Sequence, residues 1–153
     1  RRQEEDAFMA GLLHDIGRVA LLCQLGQNYS NSVLEHADKA HADVCGSERD
    51  ALGFDHSNLG GELLSSWNLP AFLVEAAGGH HDSEIDPAKS PILSAVTLAD
   101  ILASRAQPNV APNSPRQQRD EVAKFFGVGT DEDIVSYHAA CQLRFELFGA
   151  ALR

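Results

Sequence analysis

The chain has 153 residues, 44% of them hydrophobic and 22% charged, the composition of one ordinary globular domain with material for a core rather than of a disordered segment. A formal net charge of −10 argues against a phosphate-neutralising face for DNA or RNA, so an anionic ligand has to be met locally, by a metal or a few arginines. Cys23, Cys45 and Cys141 are an odd set without close C-x-x-C pairing and read as reduced thiols, packed as small hydrophobes.

Over residues 6–25, Phe8, Leu12, Leu13, Ile16, Val19, Ala20 and Cys23 recur at helical spacing and predict one buried helix with a broad apolar face, ended by Gly26. Residues 30–52 carry a more polar pattern through Val33, Leu34, Ala37, Ala40 and Val44, expected to form a long or broken surface helix. Asp55 stands as the N-cap of a third helix with Leu59, Leu63, Leu64 and Trp67 on one face, and Asn68-Leu69-Pro70 breaks it. Pro70 fits the first turn of a fourth helix running to Gly78-Gly79.

Ser90-Pro91 and Ser114-Pro115 each place a capping hydroxyl before a proline, opening helices over 91–106 and 115–126 with a Pro- and Asn-rich loop at 107–115. Thr130 and Asp133 resemble a capping box, and Ile134, Tyr137, Cys141, Phe145 and Phe148 stripe a terminal helix. No period-two strand of any length appears. The expected fold is all-α, a compact bundle of about six or seven helices forming one domain over 1–153. No apolar run approaches the roughly 20 residues of a membrane span, and the start lacks the apolar stretch of a signal peptide. The expectation is a soluble, cytoplasmic protein without membrane contact. The absence of an initiating methionine and the immediate first helix read as a segment of a longer chain.

Several polar residues do not fit a core. Gly11 and Gly17 stand three residues to either side of His14 within the most hydrophobic predicted helix, although interior glycine costs about 1 kcal/mol relative to alanine. The missing side chains leave room for a neighbouring helix or ligand beside the pair His14-Asp15. His56 sits in a first helical turn ahead of Gly60-Gly61, His80-His81 follow a second Gly-Gly at a helix end, and Asp100 interrupts an apolar run. Taken singly each has an ordinary role: a hydrogen-bonded core pair, a cap, helix-terminal cations, a buried partner for Arg18. Together they are the imidazoles and carboxylates that ligate Zn, Fe or Mn. His36, His41 and His138 lie on polar or striped helices and read as solvated or packing residues.

The runs AFMAGLLHDIGR (7–18) and GFDHSNLGGELLSSWNLP (53–70), followed by His80-His81 and by Leu98-Ala99-Asp100, resemble the HDOD domain of bacterial signalling proteins over about 7–106. The stretch from His56 to Pro70, with its Trp-x-Leu-Pro ending, is the specific part. HDOD domains are related to HD phosphohydrolases and HD-GYP cyclic di-GMP phosphodiesterases. The resemblance implies metal-ligand roles for His14, Asp15 and Asp100, with His56 and His80 or His81 where a second ion is held, and one or two divalent ions (Fe, Mn, Zn, Mg or Ni) or a vestigial empty site. It also implies upstream helices before Arg1 that complete the core.

Arg18 stands where HD-GYP enzymes usually have lysine, and the Gly-Tyr-Pro motif expected after His80-His81 is absent. Both departures point to a regulatory output or scaffold domain of response-regulator type, weakly catalytic or inactive, that relays a signal to a protein partner or adjacent signalling domain. The alternative is a metal-dependent phosphohydrolase or cyclic nucleotide phosphodiesterase with a nucleotide ligand, in which Arg18 contacts the phosphate. The site residues are expected to line one concave pocket with Arg18 at its rim.

Overall fold

The computed structural model describes residues 2–34, 44–82 and 84–105, together with 122, 124–128, 132–133, 135–136 and 139. The described elements are α1 (Arg2–Leu13), α2 (Ile16–Leu25), a short α3 (Gln27–Tyr29) continuing into a π-helical turn (Ser30–Leu34), α4 (Val44–Leu52), α5 (His56–Ser66), α6 (Ala71–Gly79) and α7 (Pro91–Arg105). The fold is all-α, with no strand among the described residues.

The helix predicted over 6–25 is two helices. His14 and Asp15 form a turn between α1 and α2, and Asp15 (φ −94°, ψ 16°) stands at the N-cap of α2 without using its side chain as a cap. The His14 ring instead bonds back to the carbonyl of Gly11, and the Asp15 carboxylate turns to groups on other helices. The broad buried face is corrected as well. Ala10, Gly17 and Leu21 are buried, whereas Phe8 (70% exposed), Leu12 (67%) and Val19 face outward.

Small residues, not large ones, make the packed side of this pair. Gly11 has no neighbour within 4 Å of where a side chain would start, but at Gly17 a Cβ would land on the His56 carbonyl and 2.8 Å from the Gly60 nitrogen. The stretch Gln3–Leu25 is 23 residues long and, by length and composition, apolar enough to cross a membrane, contrary to the reading that no run approaches that length. It packs against α5, α6 and α7 and engages polar side chains at its middle.

At the start of α5, Asp55 caps as expected. It accepts from the Asn58 N–H at 2.9 Å and from Ser57 Oγ at 2.6 Å, while Asn58 accepts the Asp55 N–H. Arg49 of α4 pairs with the same carboxylate. Pro70 is the N-cap of α6, one position ahead of the helical turn expected to contain it. Pro91 opens α7, but the Ser90 hydroxyl donates to Glu75 of α6, a charged acceptor that ties the two helices together.

The main core gathers Ala10, Leu64, Leu73, Ala76, Ala77 and Val96 from α1, α5, α6 and α7. A second cluster, Leu21, Tyr29 and Val33, joins α2 to the turn after α3, and a third links Leu98 to Val122 and Val128. In α5 and α6, Gly61 and Gly78 meet backbone to backbone, a Cβ on Gly61 lying 3.2 Å from Gly78 Cα. Glycine at this crossing brings the start of α5 and the end of α6 close enough for His56 and His80 to share one site. The expected loop at 107–115, the start of the 115–126 helix, Thr130 and the stripe Ile134, Tyr137, Cys141, Phe145 and Phe148 lie outside the described residues, as do Ala37, Ala40, His36, His41 and His138.

Candidate metal centre

Four imidazoles and the Asp15 carboxylate converge where the α1–α2 turn meets the start of α5 and the end of α6. Asp15 Oδ1 lies 3.3 Å from His56 Nε2 and 3.6 Å from His80 Nε2. Its Oδ2 lies 3.8 Å from His14 Nε2 and 3.2 Å from the Arg18 guanidinium. His56 Nε2 and His81 Nε2 are 3.0 Å apart, and the rings of His80 and His81 are 4.0 Å apart between centroids.

Three of the rings are held by their other nitrogen. His14 Nδ1 contacts the Gly11 carbonyl at 2.7 Å, His80 Nδ1 contacts the Ala77 carbonyl at 3.0 Å, and His56 Nδ1 contacts Glu48 Oε2 at 2.6 Å. A carbonyl oxygen or a carboxylate only accepts, so each Nδ1 carries the proton and donates. The Nε2 atoms are thereby aimed at Asp15. His80 is 1% exposed, and its Nε2 has no hydrogen-bond partner. Lone pairs directed at a carboxylate repel unless a proton or a cation stands between them.

The spacings accommodate a shared cation as well as a proton. Ligand atoms bonded at about 2.1 Å stand about 3.4 Å apart in a tetrahedron and about 3.0 Å apart in an octahedron, and the separations of 3.3 and 3.6 Å around Asp15 Oδ1 fall close to the tetrahedral value. Two sets of donor atoms, His14–Asp15–His80 and Cys45–His56–His81, each lie within 4.8 Å of one another. The donors fit a divalent ion of the Zn, Fe or Mn type in their chemistry as well as their spacing.

The electrostatics follow from this crowding. Burial opposes charge on Asp15, but the His56 and His80 rings that face it and the charges of Arg18 and His14 outweigh it and hold the carboxyl far below its ordinary range. Burial likewise opposes charge on His56, while bonds to Asp15, Cys45 and Glu48 push it up to about 11. His81 goes the other way, down to about 2, because burial and the charges of His80 and His56 all disfavour a second cation there. Burial pushes Asp100 up, partly offset by His80, His14 and Arg18 and reinforced by Asp15. Asp100 of α7 therefore stands within electrostatic reach of the cluster.

The structure thus brings His14, Asp15, His56, His80 and His81 together, with Arg18 at the edge, its side chain 31% exposed, whereas Asp100 belongs to neither donor set and meets the cluster only through its charge. A cleft of about 320 Å³ lined by Glu75, Gly79, Asp82 and Glu84 lies apart from these side chains. Sequence reasoning missed Glu48 and Tyr29. Glu48, fully buried, accepts from the Tyr29 hydroxyl and from both the backbone and the ring of His56. Cys45, read as a packing thiol, is buried with its Sγ 4.0 Å from His56 Nδ1. The spacing of Glu48 eight residues before His56 was the available signal, but nothing in a polar helix marks one glutamate as buried.

The HDOD domain family matches residues 1–83, more than half of the chain, and the chain belongs to that family as an HD-like signalling domain. The matched stretch contains His14, Asp15, His56, His80 and His81, while Asp100 lies beyond it. Neither a curated protein nor a solved structure matches the chain.

Proposed function

We propose that the chain is a regulatory module in which a divalent ion held by His14, Asp15, His56, His80, His81 and Asp100 sets the conformation read by an adjacent signalling domain or a protein partner, in the cytoplasm of a bacterial cell. The observation that carries this reading is the set of three rings tied off at Nδ1 with Nε2 turned to one carboxylate. Such second partners orient metal-binding histidines and fix their tautomer. The imidazole-rich set favours Zn, Fe or Ni over Mg.

A regulatory role is favoured over turnover by the state of Arg18. Its guanidinium is bound to Asp15 at 3.2 Å and interacts with Tyr29, so part of its donor fork is engaged within the chain rather than left open for a phosphate. The second reading, a metal-dependent phosphohydrolase, draws on the partial exposure of Arg18 beside the cluster. There a bound ion supplies Lewis acidity and an activated water, and Arg18 orients a non-bridging phosphoryl oxygen.

Thermal unfolding with added Zn(II), Mn(II) or Fe(II), run beside hydrolysis of bis-p-nitrophenyl phosphate, tests both. An ion at about 100 times its Kd stabilises the folded chain by roughly 2.7 kcal/mol. The regulatory reading expects that shift in the unaltered chain, its loss in Asp15→Asn and His80→Ala, and no appreciable turnover. Metal-dependent turnover supports the phosphohydrolase instead, and no shift with any ion removes the metal centre from both readings.

A further inference from the structure

We infer that Glu48 is a positioning residue that fixes the His56 ring so that its Nε2 faces the ion at the His/Asp cluster, with Tyr29 holding Glu48 in turn. This rests on the metal-centre reading above and extends it to residues outside the ligand set.

A fully buried carboxylate persists only with partners that replace water. Glu48 has three: the Tyr29 hydroxyl on Oε1, and on Oε2 the backbone N–H of His56 at 2.8 Å and its ring Nδ1–H at 2.6 Å. Together they offset the burial that disfavours its charge and keep the carboxyl below its ordinary range. Two of the three donors belong to one residue, so the contact fixes both where α5 begins and how the His56 ring is turned. With Nδ1 engaged, Nε2 is the ring atom left to meet Asp15 Oδ1 at 3.3 Å and His81 Nε2 at 3.0 Å.

The three anchored imidazoles differ in one respect. His14 and His80 donate to neutral backbone carbonyls, whereas His56 donates to a charged carboxylate, the partner that most raises the basicity of the opposite nitrogen. Arg18 interacts with both Tyr29 and Asp15, closing a ring of contacts from Asp15 through Arg18, Tyr29 and Glu48 to His56. Cys45 approaches His56 at Nδ1, the edge that Glu48 occupies.

The test compares the unaltered chain with Glu48→Gln and Tyr29→Phe. Glutamine keeps the shape but has one acceptor oxygen where three donors need two. The readouts are the exchange-protected Nδ1 proton of His56 in ¹⁵N-edited NMR of the metal-free protein, and Zn(II) affinity by chelator competition. The unaltered chain is expected to show the protected proton. Glu48→Gln should lose it and bind Zn(II) about 10- to 100-fold more weakly, and Tyr29→Phe should lose less of both.

A folded Glu48→Gln that retains the proton signal and the affinity overturns the inference. If Glu48→Gln fails to fold, Tyr29→Phe decides, and its identity with the unaltered chain in both readouts overturns the inference too. Failure of the unaltered chain to bind Zn(II) sinks the metal-centre reading, yet the Nδ1 signal still decides the role of Glu48.

Discussion

Gly17 of α2 lies against the backbone of His56 with no space for a side chain between them. A Cβ at Gly17 would clash with the His56 carbonyl oxygen and stand 2.8 Å from the Gly60 nitrogen. Both obstacles are backbone atoms that cannot swing away as a side chain can. Gly17→Ala is therefore expected to push α2 from α5, at about 1–3 kcal/mol or more of stability, and to carry Asp15 away from His56. Calorimetry with Zn(II) checks this. An unchanged Tm together with unchanged affinity contradicts the close approach. Gly11→Ala is the control, since open space surrounds it and alanine favours a helix by up to about 1 kcal/mol.

Asp55 secures the other end of the same contact. It caps α5 immediately before His56 and is braced by Arg49 and Ser57. Replacing it with alanine removes the cap at about 0.5–2 kcal/mol, which for a chain of this size lowers Tm by about 2–4 °C per kcal/mol. Because the capping carboxylate does not face the cluster, Zn(II) affinity should fall much less than in Asp15→Asn. A loss of binding as complete as that of Asp15→Asn would show the two aspartates to be misassigned.

Phe8 and Leu12, one helical turn apart on α1, are 70% and 67% exposed. Their joint replacement by glutamate in this chain should change stability by no more than about 0.5 kcal/mol per site, the usual range for exposed positions. Chemical denaturation measures it. A loss of several kcal/mol indicates that this face is covered in solution.

These three sites also show what the sequence could and could not disclose. Asp55 was legible because a cap is a local device, written within four residues. The composition of the cluster was legible too: singly its histidines and aspartates have ordinary roles, but together they are metal-ligating types, and the family pattern ordered them. Gly17 was recognised as a close approach, but Gly11 was given the same role, although spacing alone cannot distinguish a glycine facing a neighbouring helix from one facing outward.

The break at His14-Asp15 was invisible because the apolar periodicity runs through it. The turn is set by contacts with α5 and α6, not by local propensity. The exposure of Phe8 and Leu12 was hidden for a related reason, since an apolar stripe predicts a buried face whether or not the chain supplies a partner for it. Glu48 and Tyr29 were missed because their significance lies in the tertiary fold, which brings positions 19 residues apart into one hydrogen bond.

The central claim is that imidazole nitrogens and the Asp15 carboxylate ligate a divalent ion. X-ray absorption of the chain loaded with Zn(II) and dialysed tests it most directly. Retained metal is expected, with a first shell of nitrogen and oxygen at about 2.0–2.2 Å and the outer scattering of several imidazoles. Absence of retained metal, or a first shell dominated by sulfur at about 2.3 Å from the cysteines, contradicts it.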